Sequence, residues 1–205
     1  MKFYVIAHTN LLNVSDYLNI GSMKYTVMTY ETALETAGSE YMLVKLIDSG
    51  ELCKIDRGVY STREHPDPLV LAGVLYPNAI VTMDSALYAH GLTDTIPDKV
   101  HLATSRRGTR INRAGYRQYF TDDELLEPGV ISMMREDGVA RIYSLERMLV
   151  EVMRRQASLP LDFYKEIIGR YRKIIDDIDI RKVEDYISMF KRSDFMFDIL
   201  QREVL

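Results

Sequence analysis

The stretch from Ser39 to Ser61, SEYMLVKLIDSGELCKIDRGVYS, constrains the fold more than any other part of the chain. Its first half places Met42, Leu43, Leu46 and Ile47 at the spacing of one buried helix face. Gly50 stops that helix, because glycine enters the left-handed cap conformation without strain. In the second half, Leu52, Ile55, Val59 and Tyr60 flank Asp56-Arg57-Gly58. Short apolar runs around such a sequence predict a hairpin, with Arg57-Gly58 at or just past its tip. A helix followed at once by a two-stranded ribbon is the shape of a winged helix. The helix can enter a DNA groove while the ribbon lies on the flanking backbone.

The preceding residues complete the expected unit. Leu11, Leu12, Val14, Tyr17 and Leu18 have helical spacing, with Gly21 after them, and predict a first helix over Leu11 to Ile20. Thr29 caps a second helix through Ala37, with Ala33, Leu34 and Ala37 inward, and Gly38 ends it. Ser39 then caps the third helix. The turn between them is about two residues, as a helix-turn-helix requires. Residues 1–10 are read as a short strand or an extension.

With Met42, Leu43, Leu46 and Ile47 inward, Glu40, Tyr41, Val44, Lys45 and Asp48 face out. Tyr41 and Lys45 can meet phosphates, and Ser39 can offer its hydroxyl or backbone N–H at the helix N-terminus. Val44 can touch a thymine methyl. The ribbon adds Lys54, Arg57 and Arg63. The competing reading is a winged fold kept for protein contact, with a ribbon made basic for solubility. The net charge of −4 favours that competitor, and residues 1–65 hold six Lys/Arg against eight Asp/Glu. Any DNA contact must therefore come from a local patch.

Pro66-Asp67-Pro68 predicts an exposed boundary, with Pro68 opening a helix through Tyr76. Ile80-Val81 leads to a helix from Met83 to His90. Lys99 to Thr104 alternates as a half-buried strand, and Ala114 to Thr121 reads as another. Val130 to Met134 and Val139 to Tyr143 form a hairpin across Asp137-Gly138. From Ser144 onward the pattern is helical. The expected fold is thus α+β: a winged helix-turn-helix domain over 1–64, then a second domain over 65–205. The second domain is mixed α/β over 65–143 and helical over 144–205.

The order of several motifs resembles a known family. Leu46-Ile47-Asp48-Ser49-Gly50-Glu51-Leu52 followed by Arg57-Gly58-Val59-Tyr60 looks like the winged-helix end of the AbiEi family. These are the abortive-infection antitoxins of type IV toxin–antitoxin systems. Asp67-Pro68-Leu69, then Ser85 to Thr93 (SALYAHGLT), then Ile96 to Thr104 (IPDKVHLAT) resemble the start of that family's second domain, in the same order. The similarity runs from about Met28 to Arg155 and is loose in the C-terminal helices. It implies an antitoxin, not an enzyme, that counteracts a nucleotidyltransferase-fold toxin without needing a stable complex. It also implies a repressor of its own operon that binds promoter DNA through the winged domain. Assembly is left open, a monomer binding promoter repeats cooperatively being one option.

The strongest charge feature lies in the second domain. Lys99, Arg106, Arg107, Arg110, Arg113 and Arg117 are accompanied by no acid between 99 and 121. Arginine forks suit phosphate or carboxylate, so this segment is a candidate for a second DNA contact or an anionic partner. Its bland alternative is a solvated loop. Tyr116, Tyr119 and Phe120 can stack bases, or simply form a strand with one packed face.

Catalysis finds little footing. His8, His65, His90 and His101 have no metal-ligand spacing with one another or with Cys53. No nucleophile elbow or phosphate loop is present. Asp122-Asp123-Glu124 suits the first turn of a helix as well as it suits a cation. No metal and no cofactor are expected. A lone cysteine, no apolar run near the roughly 18 residues of a membrane span and no secretory signal point to a cytoplasmic protein.

Overall fold

The computed structural model describes residues 26–205, so the expected helix over Leu11 to Ile20 and the 1–10 extension lie outside the described residues. The fold is α+β, with a three-stranded antiparallel sheet and a five-stranded mixed sheet. Two compact units divide it. The first takes the described residues through Asn78 together with Ser132–Ala140, and the second takes Ala79–Ile131 and Arg141–Leu205. The Pro66-Asp67-Pro68 segment thus lies inside the first unit.

In the first unit, β1 (Val27–Thr29) runs directly into α1 (Tyr30–Ala37). The Thr29 hydroxyl accepts from the Thr32 N–H, and Gly38 ends the helix at φ +77°. Ser39 accepts from the Met42 N–H and starts α2 (Glu40–Asp48). Strands β2 (Cys53–Asp56) and β3 (Val59–Ser61) follow, in the order β1-β3-β2. Met28, Ala33, Leu43, Leu52 and Tyr60 form the core, with Leu34, Ala37, Leu46 and Ile47 packed against it. Met42 corrects the expected inward face, because it is 40% exposed. The buried arc of this nine-residue helix is narrower than its apolar arc.

Helix α3 (Pro68–Leu75) starts where Asp67 accepts from the Leu69 and Val70 N–H groups. Val70 joins Val27 and Val59 in a second cluster, covered by Leu71, Val74 and Leu75. Asp137 belongs to this unit and is buried. It accepts from the Asp67 N–H and from Arg63 Nη1, while Asp67 takes Arg135 Nε at 2.8 Å.

The second unit holds most of the five-stranded sheet, whose strand order is β6-β5-β4-β8-β7 and whose residues 132–140 fall in the first unit. The strands are β4 (Ile80–Val81), β5 (Val100–Ser105), β6 (Tyr116–Thr121), β7 (Val130–Arg135) and β8 (Gly138–Tyr143). Helix α4 (Met83–Ala89) packs on β5, and α5 (Asp123–Leu126) follows β6. The C-terminal helices are α6 (Leu145–Arg154), α7 (Leu161–Lys173), α8 (Ile180–Ser188) and α9 (Ser193–Ile199). Alternation predicts a half-buried β5, but His101 to Thr104 are all buried. The strand lies between β4 and β6, with α4 on it, so both kinds of side chain are covered.

Candidate nucleic-acid interface

The face of α2 opposite the core is solvent-facing. Tyr41 is 75% exposed and Val44 55%, and Lys45 is exposed beside them. Ser39 is exposed too, but its Oγ already serves the Met42 N–H at 3.2 Å. Glu40 is drawn aside by the Tyr30 hydroxyl, which donates to it at 3.0 Å. That hydrogen bond, then desolvation and the Glu40 charge, raise the Tyr30 pKa, so Tyr30 stays a protonated donor.

The ribbon follows from its turn. Asp56 pairs with Val59 across two residues, Arg57 and Gly58. Asp56 Oδ1 accepts from the Arg57 N–H at 2.6 Å, and Gly58 sits at φ +73°. The Gly58 carbonyl accepts from the Tyr30 N–H at 2.8 Å, which joins the turn to the start of α1. Gly58→Ala is expected to cost about 1–2 kcal/mol, the strain of a Cβ in the left-handed region, read as a lowered midpoint in urea unfolding. Lys54 and Arg57 are exposed on this ribbon.

Arg63 stands apart from them. It pairs with Glu136 at 2.9 Å and with buried Asp137 at 3.2 Å. The sequence presents Arg63 as a ribbon cation, but its partners are more than seventy residues away in the chain and leave no local pattern.

The basic segment of the second unit is the connection between β5 and β6, residues 106–115. These strands are parallel neighbours, which usually need a crossover of a dozen or more residues with a helix. Here the link has no helix. A six-residue strand is roughly 20 Å long, so the link must run extended back along the sheet. Arg106 pairs with Asp122 at 2.7 Å and Arg107 with Asp123 at 3.5 Å. The acids at the start of α5 are therefore matched by arginine. Arg113 lies over the Tyr116 ring and Arg117 over the Tyr119 ring. Lys99 and Arg110 are exposed and in no ion pair among the described residues. Phe120 is also exposed, whereas Tyr119 is half-buried against His101 and under Arg155.

Among the described residues, the grouping of His101, Asp84 and Tyr119 looks like acid–base machinery, but its imidazole is closed off. His101 Nδ1 accepts from the Asp84 N–H at 3.3 Å, and the Tyr119 hydroxyl is 3.3 Å from the same atom. Burial pushes the His101 pKa down, more than the neighbouring Asp84 carboxylate raises it. The ring is enclosed, neutral and used as a packing and hydrogen-bonding element. His90 behaves likewise. Its Nε2 donates to the Tyr143 carbonyl at 2.7 Å, and burial pushes its pKa down. It ends α4 as a neutral donor.

No family model matches this chain, and no curated protein matches it. Among solved structures, the RV2827C protein from Mycobacterium tuberculosis is similar, with a TM-score of 0.51. The two share 17% identity, over 84% of this chain and 71% of that one. At that identity the likeness shows a common fold. No helix among the described residues is long and apolar enough to cross a membrane.

Proposed function

We propose that this chain is an antitoxin of the AbiEi kind, with a winged helix in its first unit that binds promoter DNA and represses its own operon. The observation that carries the reading is the outer face of α2. Tyr41, Val44 and Lys45 are exposed together, on a helix two residues after α1 and immediately before a basic-tipped ribbon. That is the arrangement a groove-reading helix and a backbone-contacting wing need. Val44 supplies an apolar contact for a thymine methyl, and Lys45, Lys54 and Arg57 supply phosphate contacts. The second unit carries the antitoxin activity against a nucleotidyltransferase-fold toxin. No catalytic step is assigned to the chain.

The test is a gel shift with the DNA immediately upstream of this gene, at two salt concentrations and against unrelated DNA. A specific, salt-sensitive shift is expected. Lys45→Gln and Arg57→Gln are each expected to lower the log–log salt slope by about 0.9. At ~0.1 M salt that corresponds to about eightfold weaker binding for each phosphate no longer neutralised. Co-expression with the neighbouring gene tests the antitoxin half, and relief of growth arrest is the expected result.

The second reading is an adaptor whose winged fold binds protein. It is supported by the acidic balance of residues 1–65. No shift at either salt would put this reading first.

A further inference from the structure

The basic connection between β5 and β6 is gripped at its centre by the side chain of Gln118. Gln118, in the middle of β6, accepts from the Ile111 N–H through Oε1 at 2.8 Å. Its Nε2 donates to the Thr109 carbonyl at 3.1 Å and to Thr104 Oγ1 at 2.7 Å. The amide therefore grips the backbone on both sides of Arg110. The two ends of the connection are closed by strand-like bonds, from the Val100 N–H to the Gly115 carbonyl and from the Arg106 N–H to the Thr121 carbonyl.

The four other arginines of this segment are spoken for by Asp122, Asp123, Tyr116 and Tyr119. Arg110 is exposed and has no ion-pair or hydrogen-bond partner among the described residues. A connection whose arginines served solubility alone would not need its centre pinned by two hydrogen bonds from one side chain, itself held to Thr104 of β5 by a third. Fixing the backbone around one unmatched guanidinium lowers the ordering cost of binding an anion there. Lys99, also in no ion pair among the described residues, adds long-range attraction without competing for the same geometry.

We propose that Arg110 is a phosphate-contact residue for the backbone of duplex DNA, and that Gln118 is the residue that positions it. This rests on the reading that the chain binds duplex DNA, and it assigns one contact to the second unit. The guanidinium meets a phosphodiester oxygen pair as a fork, which a lysine at this position would not reproduce.

The experiment is a fluorescence-anisotropy titration of the full chain with the upstream duplex over a range of salt, for four proteins: wild type, Arg110→Gln, Gln118→Met and the double variant. Arg110→Gln is expected to lower the salt slope by about 0.9. Gln118→Met keeps the side-chain shape and removes the hydrogen bonds, and it is expected to weaken binding about two- to tenfold. In the Arg110→Gln background, Gln118→Met is expected to have no further effect on affinity, although both Gln118 variants melt at a similarly reduced temperature. An unchanged slope for Arg110→Gln overturns the contact. An equal loss from Gln118→Met in both backgrounds overturns the positioning role, because it would mean general destabilisation. Arg110-dependent binding of single-stranded RNA alone overturns the duplex assignment. Wild type that binds no duplex at any salt removes the DNA reading itself. Duplex binding indifferent to both residues removes only this inference.

Discussion

Glu151→Gln is expected to destabilise the second unit by ~3–5 kcal/mol, the range for removing one partner of a buried ion pair. Glu151 is 2% exposed and holds three guanidinium groups. Its Oε1 accepts from Arg147 Nη2 at 2.9 Å, and its Oε2 accepts from Arg154 at 2.5 Å and Arg155 at 3.2 Å. Arg147 is wholly buried, over the rings of Tyr143 and Phe190. Its remaining donors reach the Pro128 and Leu125 carbonyls, at 3.0 and 2.8 Å. Its Nε makes no hydrogen bond among the described residues. A neutral amide at 151 would leave that charge without a counter-ion in a place water does not reach. Arg154 and Arg155, being partly exposed, can turn outward. The urea midpoint of the second unit reads the loss, and a change under about 1 kcal/mol would contradict it. Glu151→Leu combined with Arg147→Met removes both charges and is expected to recover much of the stability.

The same network fixes an acid limit. Burial works against ionised Glu151, but Arg154, Arg147 and Arg155 outweigh it and hold the carboxyl below its ordinary value of 4.5. A depressed folded-state pKa gives stability that is fully present above the unfolded value. That stability is lost as pH falls through the folded value. Wild type should therefore lose stability progressively below about pH 4.5, and Glu151→Gln should show a flatter acid limb from a lower plateau. Arg155 also lies over Tyr119 on β6, so the network braces the strand that carries Gln118. At temperatures well below the melting transition, Glu151→Gln should still bind DNA with the wild-type salt slope, which separates bracing from contact.

What is legible in the sequence is whatever is encoded locally. Thr29, Ser39, Asp67 and Ser144 each cap the helix that follows, because a short polar side chain before an apolar period satisfies N–H groups within three residues. Asp67 adds its cap to Pro68, the helix opener that the sequence makes plain. Asp56-Arg57-Gly58 encodes the ribbon turn for the same local reason. Strand β1 escapes a sequence reading, since so short a strand cannot show an alternation and its partner β3 lies some thirty residues on. The exposure of Met42 escapes because periodicity marks an apolar arc without saying how much of it the core covers. Within the candidate sites, the exposed set Tyr41, Val44 and Lys45 is legible from helix geometry. The engagement of Arg63 by Asp137 and the grip of Gln118 on Thr109 and Ile111 are not. Both depend on how distant strands are registered, and a lone Gln in a strand has no signature.

Gly129→Ala is the second large effect, expected at ~2–5 kcal/mol, a sum of backbone strain and overpacking. The residue sits at φ +83°, where any side chain costs about 1–2 kcal/mol. It is also crowded. An added Cβ would stand 2.5 Å from Arg147 Cβ and 2.9 Å from its Cγ, with Tyr186 Cζ at 3.3 Å. Cβ and Cγ are fixed to the backbone of α6, and Arg147 cannot swing aside without leaving Glu151 and the two carbonyls it holds. Nor can the glycine retreat, because its own carbonyl accepts from the Ser144 N–H at 2.7 Å, at the cap of α6. Overpacking of this kind adds about 1–3 kcal/mol. Gly91→Ala is the control. Gly91 has a similar φ of +73°, but nothing lies within 4 Å of a Cβ there, so only the conformational part applies. Thermal melts of the two variants separate the terms. If Gly129→Ala falls no further than Gly91→Ala, the turn has room to move, and Arg147 is held less tightly than its buried contacts require.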